Sequence, residues 1–340
     1  MVRVLLTGGS GFIAAHVLDT LLEHGHSVVT TVRSQQKAKQ IQDAHPGVPT
    51  SKLDFAIVED ISKNGAFDKA VQSDPPFEAV IHTASPFQIG VADVQRDLLD
   101  PAIVGTTGIL KAVKAHAPSV KRIVITSSFA AVKSQAITTP GYKYSEKDWN
   151  PITKEEALQN PASGYTASKK LAEKAAWEFV ETEKPKFSLS TINPPMVYGP
   201  VVHHLSSLDS LNTSNQRIRN LIQGKNKEEI PDSGVFLWVD VRDAALAHVR
   251  AVEVPEAAGK RFLATAGLFS NKEIADIIRK NFPNLVSKLP TADTPGGDFP
   301  EGGSPYSFDN TRSRELLGIK FRTLTESIVD TVKSLQAIGA

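Results

Sequence analysis

Thr7-Gly8-Gly9-Ser10-Gly11-Phe12-Ile13-Ala14 is the stretch that decides the fold of this chain. Before it, Val2 to Leu6 is a short apolar run that reads as a buried strand. After it, Phe12, Ile13, Val17, Leu18, Leu21 and Leu22 recur at helical spacing up to Glu23. A glycine turn between strand and helix leaves the helix N-terminus open, and its free N–H groups and positive dipole end suit a phosphate. Gly8 permits a tight turn, Gly11 lets the backbone approach a pyrophosphate, and Ala14 lets the helix pack close to the strand. The alternative is an ordinary glycine-containing turn.

The residues around the turn repeat the same alternation. Ser27 to Val32 reads as a second strand, Lys37 to Ala44 as a helix ending before Pro46, and Leu53 to Val58 as a third strand. Ala79 to His82 is a fourth strand, Leu98 to Ala115 a long helix and Arg122 to Thr126 a fifth strand. Steady strand–helix alternation predicts an α/β fold: a Rossmann-type, doubly wound parallel sheet with ligands beyond the carboxyl ends of its strands. Thr138 to Ser163 reads as a surface excursion, Tyr165 to Glu183 as a strong helix, and Leu189 to Ile192 as a strand ending at Asn193-Pro194-Pro195. We expect a dinucleotide-binding domain over 1–198 that includes the Tyr165 helix. Residues 199–340 are expected to form mostly a smaller, interleaved C-terminal substrate lobe, with about 236–252 returning to the first domain.

Composition bounds the function. The 340 residues carry 38 Lys+Arg against 37 Asp+Glu, a formal charge of +1, which argues against broad attraction to nucleic acid or anionic membrane. There is no cysteine, so disulfides, thiol catalysis, iron–sulfur clusters and cysteine-based zinc sites are excluded. The opening residues do not read as a signal peptide, and no run reaches membrane-spanning length. A cytoplasmic protein with a small-molecule partner is expected, with neither nucleic acid nor membrane as a partner.

The second strand ends at Val32-Arg33-Ser34, where an NAD site usually carries an acid for the ribose 2′-hydroxyl. Arg33 offers a planar cationic fork suited to a 2′-phosphate, and Lys37 lies one helical turn on, which favours NADPH. Two solvated charges at a strand end are the alternative. Asp60-Ile61, past the third strand, suits adenine: the carboxylate for the amino group, Ile for the face. Tyr165 and Lys169 share one helix face. A nearby ammonium favours tyrosinate, and such a phenol can protonate a developing alkoxide. Ser128, just beyond the fifth strand, stands where it can hydrogen-bond a substrate carbonyl. The nine histidines show no metal-ligand spacing; His24-Gly-His26 and His203-His204 read as loop or surface residues. Arg217–Arg219 reads as a solvated helix face, and Trp149, Trp177 and Trp238 as packing.

Taken in order, Thr7–Ala14, His82-Thr-Ala-Ser-Pro-Phe87, Arg96-Asp-Leu-Leu99, Thr126–Val132, Tyr165-Thr-Ala-Ser-Lys169, Ala172–Phe179, Asn193–Pro200, Leu211-Asn-Thr-Ser214 and Asp309-Asn310 with Leu316-Leu-Gly318 resemble an extended short-chain dehydrogenase/reductase. The likeness covers nearly the whole chain. It is closer still to the fungal NADPH-dependent methylglyoxal and aldehyde/ketone (carbonyl) reductases, relatives of plant dihydroflavonol reductase. The resemblance implies that Ser128 orients the carbonyl, Tyr165 is the general acid, and Lys169 lowers its pKa and binds the nicotinamide ribose. It implies cofactor contacts by Gly8, Gly9, Ser10, Gly11, Phe12 and Ile13, by Arg33 and Lys37, by Asp60 and Ile61, and by Thr83, Ala84, Pro194, Val197 and Ser214. Phe87, Phe129, Ala162 and Tyr198 match pocket-lining positions, with plain core packing the alternative for Phe87 and Phe129. Two residues depart from the pattern: Val104 where many relatives carry Asn, and Lys133 where some carry an aromatic. The activity expected is a metal-free, NADPH-dependent carbonyl reductase. The alternatives are a nucleotide-sugar epimerase or dehydratase on the same fold, which Arg33 argues against, and a non-catalytic dinucleotide sensor.

Overall fold

The computed structural model describes residues 1–85, 92–134, 141–159 and 161–340. In chain order, β1 (Arg3–Thr7), α1 (Phe12–Glu23), β2 (Ser27–Val32), α2 (Gln35–Ala44), β3 (Leu53–Ile57) and β4 (Ala79–His82) are followed by α3 (Asp100–His116) and β5 (Arg122–Thr126). Next come β6 (Tyr142–Tyr144), α4 (Lys154–Ala157), α5 (Pro161–Glu183), β7 (Ser188–Ile192) and β8 (Met196–Tyr198). The remainder holds α6 (Thr213–Ile222), β9 (Leu237–Asp240), α7 (Val241–Glu253), β10 (Lys260–Phe262), β11 (Gly267–Leu268), α8 (Asn271–Asn281), β12 (Tyr306–Phe308), α9 (Thr311–Glu315) and α10 (Leu324–Ala337). Two helices start earlier than periodicity alone predicts. The Ser34 hydroxyl caps α2 by accepting the Lys37 N–H at 3.4 Å, and Pro161 opens α5, where its missing N–H costs nothing.

The main sheet has seven parallel strands in the order β10-β7-β5-β4-β1-β2-β3, the doubly wound architecture that the alternation predicted. From β1 the chain winds one way through β2 and β3, then returns to β4 and winds the other way. This reversal opens a crevice between the carboxyl ends of β1 and β4. Apolar side chains cover both faces. Val4, Leu6, Val17, Leu18 and Val249 share one cluster, and Leu5, Val80, Ile109, Ile123 and Ala176 share the other. The helix α7 packs on α1 and on the backs of β5 and β7. The seventh strand, β10, comes from a segment that periodicity did not mark; three residues are too few for an alternation to register. A third cluster, including Tyr198, Ile218, Phe269, Ile278 and Val332, joins β8 to α6, α8 and α10. Among the described residues no helix is long and apolar enough to cross a membrane.

Candidate active site

The glycine turn is built by its neighbours. Gly8 sits at φ +78°, and a Cβ there would stand 2.9 Å from Ala84 Cα. Ala84 is held close because its N–H donates to Thr7 Oγ1 at 3.2 Å while the Thr83 hydroxyl donates to the Thr7 carbonyl at 2.6 Å. The same Thr7 hydroxyl is hydrogen-bonded to His82 Nδ1 at 2.8 Å, stitching β1 to β4 at the crevice. Close packing is the work of Gly9: a Cβ there would fall 2.1 Å from the Thr30 hydroxyl of β2. Gly11 meets only the Gly8 carbonyl, and α1 begins there with no side-chain cap. The N–H groups of Phe12, Ile13 and Ala14 precede the first helical bond, Ala15 N–H to Gly11 O at 3.0 Å, and among the described residues they have no acceptor; all three residues line the cleft.

One cavity of about 560 Å³ joins this turn to the proposed proton donor. It is lined by Gly8, Gly11, Phe12, Ile13, Thr83 and Ser85 on one side, by Ser128, Tyr165 and Lys169 on another, and by Pro194, Met196, Val197, Asn212 and Ser214 on a third. Ser10 lines a neighbouring cavity of about 140 Å³ with Gly9, Lys37, His203 and His204. Arg33 is exposed at the end of β2, and among the described residues no carboxylate pairs with it or with Lys37. Asp60 spends one oxygen on the Ser62 N–H (2.9 Å) and hydroxyl (2.6 Å), which hold its carboxyl below the usual range. Ile61 packs beside Gly105 of α3.

Three side chains form the chemical end of the cleft. Tyr165 is 40% exposed to it. The protein around its hydroxyl still pushes the phenol upward, more than the Ser128 hydrogen bond pulls it down. Sequence reasoning expected Lys169 to lower the phenol; the net shift is upward instead, set by burial. The ammonium donates to the Ser85 hydroxyl at 2.7 Å and stands 5.6 Å from the Tyr165 ring centroid; burial brings Lys169 down to about 8. His82, beneath them, is buried and pushed down to about 3, by desolvation first and by Lys169 second, so it stays neutral.

The anchor behind these residues was missed by the sequence reading. Glu173, buried one turn after Lys169, receives Ser127 Oγ (2.5 Å), Asn193 Nδ2 (2.7 Å), Thr191 Oγ1 (3.0 Å) and the Arg261 guanidinium (2.7 Å). Asn193 also donates to the Ser128 carbonyl at 3.2 Å. The carboxylate thus ties α5 to the two strand ends that carry Ser128 and Pro194. The available signal was spacing: Tyr165, Lys169 and Glu173 recur every four residues on one helix face.

The pocket-wall expectations are corrected in several places. Phe129 follows Ser128 on a tight turn that sends its ring the other way, into a cluster with Tyr144, Tyr306 and Phe236, and it is 2% exposed. Tyr198 is fully buried against Phe269, because strand alternation puts Val197 on the cleft side and Tyr198 on the lobe side. Ala162 is exposed on the first turn of α5 and does not line the cavity; Phe87 lies outside the described residues. Lys133 gives the wall no polar head, since it reaches the Gly234 carbonyl at 3.1 Å over the Tyr306 ring. Val104 is half-buried on α3. Away from the cleft, Arg219 is buried rather than solvated, bonding the Leu208 carbonyl at 2.7 Å. His26 is buried too: it takes the Val2 N–H on Nδ1 and so carries its proton on Nε2, facing the Glu253 carboxylate that also bonds His24.

Comparison with known proteins gives the family. Residues 4–264 match the model of the NAD dependent epimerase/dehydratase family. The chain is 47% identical over 336 residues to the ketoreductase azaE of Aspergillus niger, covering 98% of this chain and 97% of that protein. It is 42% identical over 335 residues to the putative NADPH-dependent methylglyoxal reductase GRP2 of Candida albicans, covering 98% of each. The crystal structure of Gre2 from Candida albicans in complex with NADPH superposes with a TM-score of 0.89 at 38% identity, covering 100% of both chains.

Proposed function

The chain belongs to the NAD dependent epimerase/dehydratase family, and from that premise we propose how its cleft works as the active site of an NADPH-dependent carbonyl reductase. The substrates are small aldehydes and ketones of the methylglyoxal, isovaleraldehyde, ketoester or aryl-ketone kind, and the products are alcohols. The observation that carries this reading is the single cavity shared by the glycine turn and by Ser128, Tyr165 and Lys169.

The residues present fit a dinucleotide phosphate. The space over Gly11 and the free N–H groups of Phe12 to Ala14 receive the pyrophosphate. Arg33 and Lys37, neither of them in a close ion pair among the described residues, receive the 2′-phosphate. Asp60, through its second oxygen, and Ile61 hold the adenine, and Thr83, Ala84, Pro194, Val197 and Ser214 border the rest. Bound NADPH supplies a hydride to the carbonyl carbon. Ser128 donates to the carbonyl oxygen and orients it. Tyr165, kept protonated because its pKa lies above the usual phenol value, gives that oxygen a proton as negative charge develops. Lys169, still largely cationic at neutral pH, stabilises the tyrosinate left behind and holds the ribose hydroxyls. The named activities of the relatives and the cation at Arg33 both support a reductase over an epimerase. A cytoplasmic location is part of the same proposal.

The direct test is NADPH consumption with methylglyoxal, isovaleraldehyde, β-ketoesters and aryl ketones, followed by chiral analysis of the alcohols. No turnover across the panel, or purification with tightly held oxidised cofactor, would remove the reductase reading.

A further inference from the structure

Between the glycine turn and Tyr165 the cavity wall holds an exposed hydroxyl, Ser85. The Lys169 ammonium donates to it at 2.7 Å, across 84 positions of sequence. Ser85 is delivered to that place by its neighbours. The Thr83 hydroxyl and the Ala84 N–H are both fastened to Thr7, at 2.6 and 3.2 Å, so the residue after them leaves the end of β4 in a set direction. Among the described residues Ser85 Oγ is the one hydrogen-bond acceptor that Lys169 reaches.

An ammonium carries three N–H groups. One is committed to Ser85, and two are left for the cleft. Among the described residues nothing of opposite charge offsets the desolvation of Lys169. Along α5 its neighbours are Tyr165 and Glu173, and the charge of Glu173 is met by Arg261 at 2.7 Å. The end of β4 presents His82, which is neutral. The end of β5 presents the hydroxyls of Thr126, Ser127 and Ser128, the loop after β7 presents Pro194 and Pro195, and the start of α6 presents Asn212, Thr213 and Ser214. The helix α3, packed along α5, and the turn before it hold Asp100 and Asp97, which are bonded to Gln95 and Arg96. A charge in that setting depends on the acceptor it touches, and a hydrogen bond from an ionised donor is of the strong kind. We propose that Ser85 is a positioning residue of the reduction: through one charge-assisted hydrogen bond it keeps the Lys169 ammonium anchored and ionised beside Tyr165. This rests on the reading of the cleft as a carbonyl reductase site. It makes the segment after β4, fastened to the glycine turn, a support for the chemical end of the cavity.

The tests read the charge on Lys169 both without turnover and during it. In the cofactor-free protein, the pH dependence of Lys169 acetylation by acetic anhydride, followed by peptide mass spectrometry, gives the midpoint at which the amine becomes nucleophilic. Ser85→Ala is expected to move that midpoint down by about one pH unit, the size of one hydrogen bond to a charged group. Ser85→Thr keeps the hydroxyl and is expected to restore the midpoint, which guards against a folding defect in the alanine variant. During turnover the alkaline limb of kcat/KM moves with the amine. Ser85→Ala is therefore expected to reduce a ketone within about twofold of wild type at pH 6 and about tenfold more slowly at pH 9. A structural role alone would lower activity equally at both pH values. An unmoved midpoint, or a loss equal at pH 6 and pH 9, overturns the assignment of Ser85 and leaves the reductase reading standing. Absence of any NADPH turnover by wild type, even with a midpoint that moves, overturns the reductase reading and with it the part of Ser85 in the reaction.

Discussion

The guanidinium of Arg261 meets the carboxylate of Glu173 at 2.7 Å, and both side chains are almost wholly enclosed by protein. The pair sits directly behind Ser128. Arg261 uses its remaining donors on the Glu146 and Asp148 carbonyls and lies 3.7 Å from the Trp149 ring centroid. A buried pair of this kind is costly to break from one side, because the survivor is stranded as an unpaired charge.

Glu173→Ala and Arg261→Ala are each expected to lower the unfolding free energy by about 3–5 kcal/mol. The double replacement with apolar residues of similar volume, Glu173→Leu with Arg261→Met, is expected to recover much of that loss. Urea denaturation checks this. A loss in the double variant equal to the sum of the single losses would show that the two groups do not act as a pair.

Because the phenol is assigned as the acid, Tyr165→Phe is expected to lower kcat by about 100-fold or more while NADPH binds within twofold of wild type. Near-normal turnover in that variant would remove the assignment.

The pH dependence follows from two directions. Tyr165 is raised and stays protonated well beyond neutrality, whereas Lys169, brought down by burial, loses its proton near pH 8. The kcat/KM for reduction is therefore expected to be flat below about pH 8 and to fall above it, as the cation that supports tyrosinate disappears. A profile flat to pH 10 would place the titrating group elsewhere.

Arg33→Asp is expected to raise the KM for NADPH by about two orders of magnitude and to change that for NADH little, since only the former carries the extra phosphate. Equal changes for the two cofactors would count against the phosphate role.

Phe129→Ala is expected to cost about 3–5 kcal/mol of stability, as an enclosed aromatic does on truncation, and to leave the ketone preference unaltered. A changed product enantiomer with stability intact would return Phe129 to the pocket wall.

The features legible from sequence were those written in short-range pattern. Strand and helix periodicity gave the alternation from Val2 to Thr126, and with it the sheet class that the structure bears out. The ordered motifs gave the family, which the comparisons bear out. Illegible were features that depend on direction or on distant partners. Whether Phe129 points at the cleft or away from it turns on three residues of tight turn after Ser128, and no periodicity covers so short a piece. Glu173 reads as one more charge on a helix until Arg261, 88 residues later, is folded against it.

The late arrival of β10 has a consequence for synthesis on the ribosome. A nascent chain that has emerged only as far as residue 198 holds every proposed chemical group except those of the α6 rim. Yet its outermost strand, β7, presents a raw hydrogen-bonding edge, and the Glu173 charge has no counterion until Lys260–Phe262 emerges and pairs there. The first half is thus expected to stay unlocked, and prone to sticking to its neighbours, until roughly three-quarters of translation is complete. An isolated fragment of residues 1–198 should need chaperone help that the whole chain does not.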